Sequence, residues 1–377
     1  MRGIRKGDCQ DRVSRMNSIR TRYYKKNMIQ ILLISVFLLV TACTAIGPPT
    51  VARDRFDYVN AVSDSWKRQM LLNVVKLRYY DTPVFLEVAS IINQYSLEGE
   101  VNLGASWLDA DGAGGLIGGT GRYADRPTIT YAPLTGEKFA RNLMTPIPVR
   151  AVLHLVQAGY PVEYVFRIIV QSINGVENRF GGQLMQRDAD PDFAELLTLM
   201  GRIQRSGGLG MRARDADDEK TVVMFFRGAK EAAIEREIES VGRILGIDPD
   251  AESFDIVYGS IPSSDREIAI ETRSMLQILA EMGSRIDISQ KDIDEGRTYR
   301  STIETTDSTG FHELIRIHSA AARPKDAYVA VSYRGQWFWI DDRKVASKRT
   351  FAFVMLLFSL TETGDDQRAP IVTVPTN

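Results

Sequence analysis

Trp337, Trp339, Asp341 and Asp342 lie within one short run of the chain. Carboxylates beside an aromatic surface are what a glycan hydrolase uses to move a proton and hold a sugar. The spacing weakens that chemistry. Adjacent residues on a strand point to opposite faces, so Asp341 and Asp342 can cooperate as acid and base only beyond the strand's end. Their expected role is to end a hairpin and cap the helix that follows. Trp337 and Trp339 share one face of the strand, with Phe338 and Ile340 on the other. A strand apolar on both faces is usually central in its sheet, so burial is the expectation. The sharper alternative is an open face on which the two indoles bind a partner or a glycan.

Other chemistries fail on spacing. His312 and His318 share a face of an expected strand but stand about 20 Å apart at about 3.3 Å per residue, too far to share a metal. His312-Glu313 begins like a zincin helix, yet Arg316 stands where the second histidine belongs. His154 is alone in a helix, and no transition-metal site is expected. Asp188, Asp190 and Asp192 alternate like the start of a calcium loop, but Phe193 replaces its turn glycine and Leu199 its bidentate glutamate. The cluster Asp215, Asp217, Asp218 and Glu219 fails in the same way, with Lys220 and Phe226 at those positions. There is no Gly-x-Ser-x-Gly, and no serine stands three residues before a lysine. The glycine-rich run from Gly112 to Gly121 lacks the Lys-Ser/Thr ending of a phosphate loop and reads as a flexible hairpin tip. No cofactor is expected.

Cys43 offers a different chemistry. Nine basic side chains precede Met28, then comes the apolar run Met28 to Val40, then Val40-Thr41-Ala42-Cys43. That order resembles a bacterial lipoprotein signal, in which the thiol is acylated and the residues before it are removed. A permanent span is the competing reading, but Met28 to Val40 reaches only roughly 20 Å as a helix, against about 30 Å of hydrocarbon. The resemblance implies a diacylglycerol and usually a third chain, a durable anchor, since each buried methylene contributes about 0.8 kcal/mol. Thr44, where inner-membrane retention typically uses Asp, points to the outer membrane facing the periplasm.

Residues 1–42 hold nine of the 47 basic and two of the 48 acidic side chains, so residues 43–377 carry 38 against 46, about eight net negative charges. An acidic chain with no basic stretch argues against nucleic acid.

These groups need elements to hold them. A tether is expected at 43–55, because Pro48 and Pro49 read as helix breakers. An amphipathic helix follows over 57–80, with Val59, Val62, Trp66, Met70, Val74 and Leu77 as its stripe. Strands are predicted over 84–107 and 128–131, then helices over 137–144, 149–158, 162–173 and 191–204, the last opened by Asp190-Pro191. The stretch 207–220 is expected to be a linker between a helix-rich region, 56–206, and a sheet domain, 221–377. In the second part come strands at 221–226 and 254–258 around a helix at 230–245. A helix over 264–282 is opened by a Ser264/Glu267 capping box. After a polar excursion at 287–310 come strands at 314–319, 328–333 and 336–340, a buried apolar helix at 351–360, and a last strand at 370–374.

The stretch Tyr333-Arg334-Gly335-Gln336-Trp337-Phe338-Trp339-Ile340-Asp341-Asp342-Arg343, with Ser347 to Phe351, Ser65-Trp66-Lys67 and Asp81-Thr82-Pro83, resembles a family of bacterial lipoproteins with no assigned activity. The resemblance implies no catalytic residue. The expectation is therefore an α+β fold, helix-rich with a β-hairpin first and mixed α/β with a sheet and a buried helix second. Its role is expected to be non-catalytic binding or scaffolding in a cell-envelope assembly, through an envelope protein or a second copy of itself. Cys43 is the lipid attachment site and Trp337, Trp339, Asp341 and Asp342 the candidate partner-binding residues. The alternative is a carboxylate-dependent hydrolase of peptidoglycan or polysaccharide.

Overall fold

A computed structural model of the chain describes Gln30 and residues 48–92, 95–106, 114–125, 128–181, 186–216, 219–226, 232–251, 253–300 and 313–362. Cys43, His312 and the strand expected at 370–374 lie outside them. Two compact units divide the chain, one of residues 1–63 with 90–129, the other of 64–89 with 130–377.

Helix α1 spans Pro48–Arg78. The tether expected at 43–55 is thus corrected over its second half. Pro48 and Pro49 take the first helical positions, where a missing N–H costs nothing and φ is already set. The apolar stripe is buried from Met70 through Val74 to Leu77, whereas Val59 and Phe56 are exposed. The helix closes with two bonds, Asp81 N–H to Lys76 carbonyl and Tyr80 N–H to Leu77 carbonyl. Tyr80 takes the left-handed position of this motif, at φ 59°, where glycine is the usual residue.

Strands β1 (Phe85–Ile92), β2 (Tyr95–Ser106), β3 (Gly114–Asp125) and β4 (Thr128–Leu134) follow. β1 pairs with β4, and β2 with β3, in separate two-stranded sheets. The glycine-rich run expected to be a flexible tip is corrected from Gly114 onward: it is strand, in unbroken antiparallel register with β2 from Tyr95↔Asp125 to Ser106↔Gly114.

Helices α2 (Glu137–Met144), α3 (Val149–Gln157) and α4 (Val162–Ile169) lie close to their predicted positions, but the chain leaves α4 after Ile169 and becomes β5 (Val170–Ile173). Arg273 accounts for the change. Its guanidinium, fully buried, donates to the carbonyls of Arg167 and Ile168 at 3.4 and 3.3 Å and to that of Arg179, so the last carbonyls of α4 are satisfied without another helical turn. β6 (Val176–Glu177), β7 (Phe180–Gly181) and β8 (Gln186–Arg187) come next, then α5 (Pro191–Arg205) with its proline at the start. Asp190 supplies no side-chain cap. Its carboxylate accepts instead from Glu177 N–H at 2.8 Å.

β9 (Leu209–Ala216) and β10 (Glu219–Phe226) form an antiparallel hairpin where a linker is expected. α6 (Ala232–Leu245), β11 (Ser253–Tyr258) and β12 (Glu267–Thr272) follow. A six-stranded sheet in the order β6-β5-β12-β11-β10-β9 then draws strands from both sides of 207–220. The division at 207–220 is therefore corrected. α7 (Met275–Ser284) opens at Ser274, whose hydroxyl accepts from Gln277 N–H while the Gln277 side chain accepts from Ser274 N–H. The capping box read at Ser264 and Glu267 is instead part of the approach to β12.

α8 (Gln290–Asp294) sits in the stretch expected to be an exposed excursion, and Asp292 and Thr298 are buried there. β13 (His318–Ala320), β14 (Ala327–Tyr333) and β15 (Gln336–Asp341) form a sheet with β15 in the middle. Arg334 and Gly335 join β14 to β15 with φ of 49° and 78°, the double left-handed turn that suits the twist of a two-residue hairpin. α9 (Val345–Glu362) buries Phe351, Phe353, Val354, Leu357 and Phe358 and leaves Leu356 exposed. The Phe358 ring stacks on Phe85 at 4.5 Å. One hydrophobic cluster runs from Met70 to Phe358, and the fold is α+β.

Candidate functional site

β15 decides which candidate residues meet solvent. Phe338 and Ile340 are wholly buried, at 1% and 0% exposure, whereas Trp337 and Trp339 on the opposite face are only half-buried. The strand is central, as expected, yet one of its faces is open, so the expected burial of both indoles is corrected. β13 and β14 flank that face with small residues, Ala320 and Ser332 opposite Trp337 and Ala330 opposite Trp339. Small neighbours on both sides leave the Trp337 indole standing above the sheet, whereas Trp339 has His318 of β13 opposite it as well.

Trp337 forms part of the wall of a groove of about 640 Å³ between the second half of α1 and the outer face of β14. Lys67 and Arg68 come from α1, Arg323 and Lys325 from the segment entering β14, and Tyr328 from β14 itself. The Arg323 guanidinium lies 5.2 Å from the centre of the Trp337 ring, and the Lys67 ammonium 5.2 Å from that of Tyr328. Lys67 also bonds Asp64 at 3.0 Å, the one carboxylate among the residues lining the groove. Four cations, one anion and two aromatic faces make a surface suited to an anionic, partly apolar ligand. Against about eight net negative charges over residues 43–377, it is a local field of the opposite sign.

Trp339 lies on the same face but outside that lining. The His318 ring packs on it at 5.4 Å, and His318 Nδ1 is 3.0 Å from Asp287 Oδ2. Arg316 donates to the same carboxylate at 3.1 Å, which raises the guanidinium's pKa. Asp287 is thus clamped between two side chains.

Asp341 and Asp342 do not face each other across a cleft. Arg343 donates to Asp341 through its backbone N–H at 2.8 Å and its guanidinium at 3.1 Å. These bonds hold the carboxyl down at about 2. A group that acidic carries no proton to donate at neutral pH, so it cannot serve as a general acid. Asp342 is paired with Lys348 in the first turn of α9 at 3.1 Å. Asp341 is thus held within the turn after β15 and Asp342 is tied to the first turn of α9, and neither lines the groove.

Sequence reasoning missed a second feature. A cavity of about 60 Å³ is lined by Arg167, Arg179, Arg273 and Arg285 around Glu281. Glu281 Oε1 lies 3.7 Å from Arg179 and 3.5 Å from Arg285, and Oε2 accepts from Gly181 N–H. The one sign of it in the sequence is the polar run Glu271-Thr272-Arg273-Ser274 between two apolar runs. Arg273 serves carbonyls of the fold itself, and Arg179 and Arg285 lie beside the Glu281 carboxylate.

Among the described residues no three metal-ligating side chains cluster, and no helix is long and apolar enough to cross a membrane. The chain matches no protein-family model, no curated protein and no solved structure.

Proposed function

We propose that this chain is an exported lipoprotein, anchored through Cys43 to the periplasmic face of the outer membrane, that binds an acidic segment of an envelope partner without catalysing a reaction. The groove carries the reading: Trp337 stands half-open beside Arg323, Lys325, Lys67 and Arg68. An indole next to cations supplies apolar area and charge in one place, the combination found where a few residues dominate binding. The ion-paired Asp341 and Asp342 offer no acid–base couple, so nothing at this site favours the hydrolase alternative.

A photo-crosslinker placed at Ser332, opposite Trp337, tests the reading in cells. The expected result is a discrete adduct that Trp337→Ala and Arg323→Glu each reduce at least tenfold while the protein level is unchanged. An adduct pattern indifferent to both substitutions, or a measured hydrolytic turnover, overturns it. The anchor has its own test. Cys43→Ala releases the protein from sedimenting envelopes, and an unaltered distribution at the normal processed mass defeats it.

A further inference from the structure

Among the described residues β14 is an outer strand of its sheet, and its register with β15 fixes which way each of its backbone groups points. The two-residue turn at Arg334-Gly335 makes Tyr333 and Gln336 a hydrogen-bonded pair, and bonded pairs then recur at every second position. Val331 and Val329, opposite Phe338 and Ile340, therefore direct their N–H and C=O groups to β15. Ala330 and Ser332, opposite Trp339 and Trp337, direct theirs away from it. A bulge at Tyr328 ends this regular stretch.

The groove lies along that outward side. Every residue from Ala327 to Ser332 lines it, from both faces of the strand, so the open space follows the strand's edge for about 20 Å at about 3.3 Å per residue. The opposite wall is one face of α1, because Asp64, Lys67, Arg68 and Leu72 recur at helical spacing. α1 reaches the sheet from the core side, where Tyr79, just past its end, packs against Phe338 at 6.1 Å. A strand edge with a helix alongside suits the addition of an extended peptide as a further strand. The peptide's main chain then supplies affinity, and its alternate side chains supply specificity.

We propose that the acidic segment of the partner binds as an added strand on β14, its main chain bonded to the outward N–H and C=O groups of Ala330 and Ser332. Side chains of an added strand alternate between two directions, one toward Trp337 and Arg323 and the other toward Lys67 and Arg68 of α1, so both sets meet cations. Charge decides the occupant. A second copy presenting its own β14 would bring Lys67, Arg68, Arg323 and Lys325 against the same four cations, which like-charge repulsion disfavours. A chain rich in carboxylates meets the opposite sign on both walls. This mode rests on the acidic-segment reading above and adds to it the backbone conformation that the groove selects.

The test keeps the photo-crosslinker at Ser332 in cells and reads the adduct in proteins that also carry Ala330→Pro or Ala330→Ser. Proline removes the outward N–H and is tolerated on an edge strand where that group faces away from the ladder, whereas serine keeps it. The adduct is expected to fall about tenfold or more with Ala330→Pro, the size of a forfeited buried hydrogen bond, and to persist with Ala330→Ser. Equal loss with both variants traces the effect to the side chain and overturns the proposal. Amide exchange gives a reading that does not depend on how the proline variant folds. In the free full-length protein the Ala330 amide is expected to exchange fast and those of Val329 and Val331 slowly; in the purified adduct all three exchange slowly. An Ala330 amide that is slow before binding, or fast in the adduct, overturns the added strand. So does an adduct of twice the chain's mass, which makes the occupant a second copy. The two readings fail separately. An adduct lost with Arg323→Glu but indifferent to Ala330→Pro refutes the added strand alone, and one indifferent to Arg323→Glu refutes the acidic segment.

Discussion

Two neighbours on β15 do opposite work. Phe338 is enclosed by the core, and Trp337 is half in the groove. Truncating an enclosed phenylalanine removes its transfer energy and leaves a cavity, so Phe338→Ala is expected to cost about 3–5 kcal/mol. Trp337→Ala is expected to change the unfolding midpoint far less while abolishing the crosslinked adduct. Urea unfolding of both variants checks the contrast, and equal losses would mean that the indole is a core residue. Asp341 gives a prediction in pH. Its folded pKa, about 2, lies below the ordinary value of about 3.9, so the carboxylate's contribution is complete above about pH 4. That contribution is lost as pH falls through about 2. A carboxyl NMR titration with its midpoint near 4 would show that the Arg343 bonds are absent in solution. The alternation around Trp337 could be read from residue types alone. Which face stays open could not, because that depends on Ala320, Ala330 and Ser332 of two other strands.

Short motifs identify an element only when the backbone around them agrees. Ser264-x-x-Glu267 and Ser274-x-x-Gln277 both match a helix start, and they are ten positions apart. β-branched and apolar residues after Glu267 give β12 a central place in the sheet, so the first match meets a strand and only the second meets a helix. Sheet pairing overrides the local signal. Ser274→Ala is expected to cost about 1 kcal/mol, whereas Ser264→Ala should stay within about 0.5 kcal/mol. Chemical denaturation resolves the difference, and a reversed order would place the operative cap at Ser264. The same logic explains α4. Apolar residues continue past Ile169, and nothing within 162–173 shows where helix gives way to strand. Arg273, about a hundred residues away, decides it by satisfying the carbonyls of Arg167 and Ile168. By contrast the body of α1 and the extents of α2 and α5 were legible, because their periodicity is local. The stripe on α1 nonetheless fails as a guide to burial at Val59, which is exposed although Trp66 further along packs half-buried against the core, since an apolar face does not encode what covers it.

Across the whole molecule, the composition shift at 207–220 looks like a linker because glycine and charge are common to linkers and to exposed hairpins. The pairing distinguishes them. Ile173 of β5 lies opposite Ile270 of β12, and Ser172 opposite Glu271, so the sheet is assembled from residues about a hundred positions apart on either side of that hairpin. Phe193, Leu196 and Leu197 of α5 belong to the same cluster as Phe338 and Phe351. Separating residues 56–206 from 221–377 would therefore leave β5 without β12 and open the shared cluster to water. Neither piece is expected to unfold cooperatively by itself, and the intact chain is expected to lose α5 and β15 in one transition. Nicking the chain within 217–218 keeps both halves present, and they should remain associated through the sheet and unfold together at a lower midpoint. Two independent transitions, in separate pieces or in the nicked chain, would restore the division at 207–220 and make the β5–β12 pairing incidental.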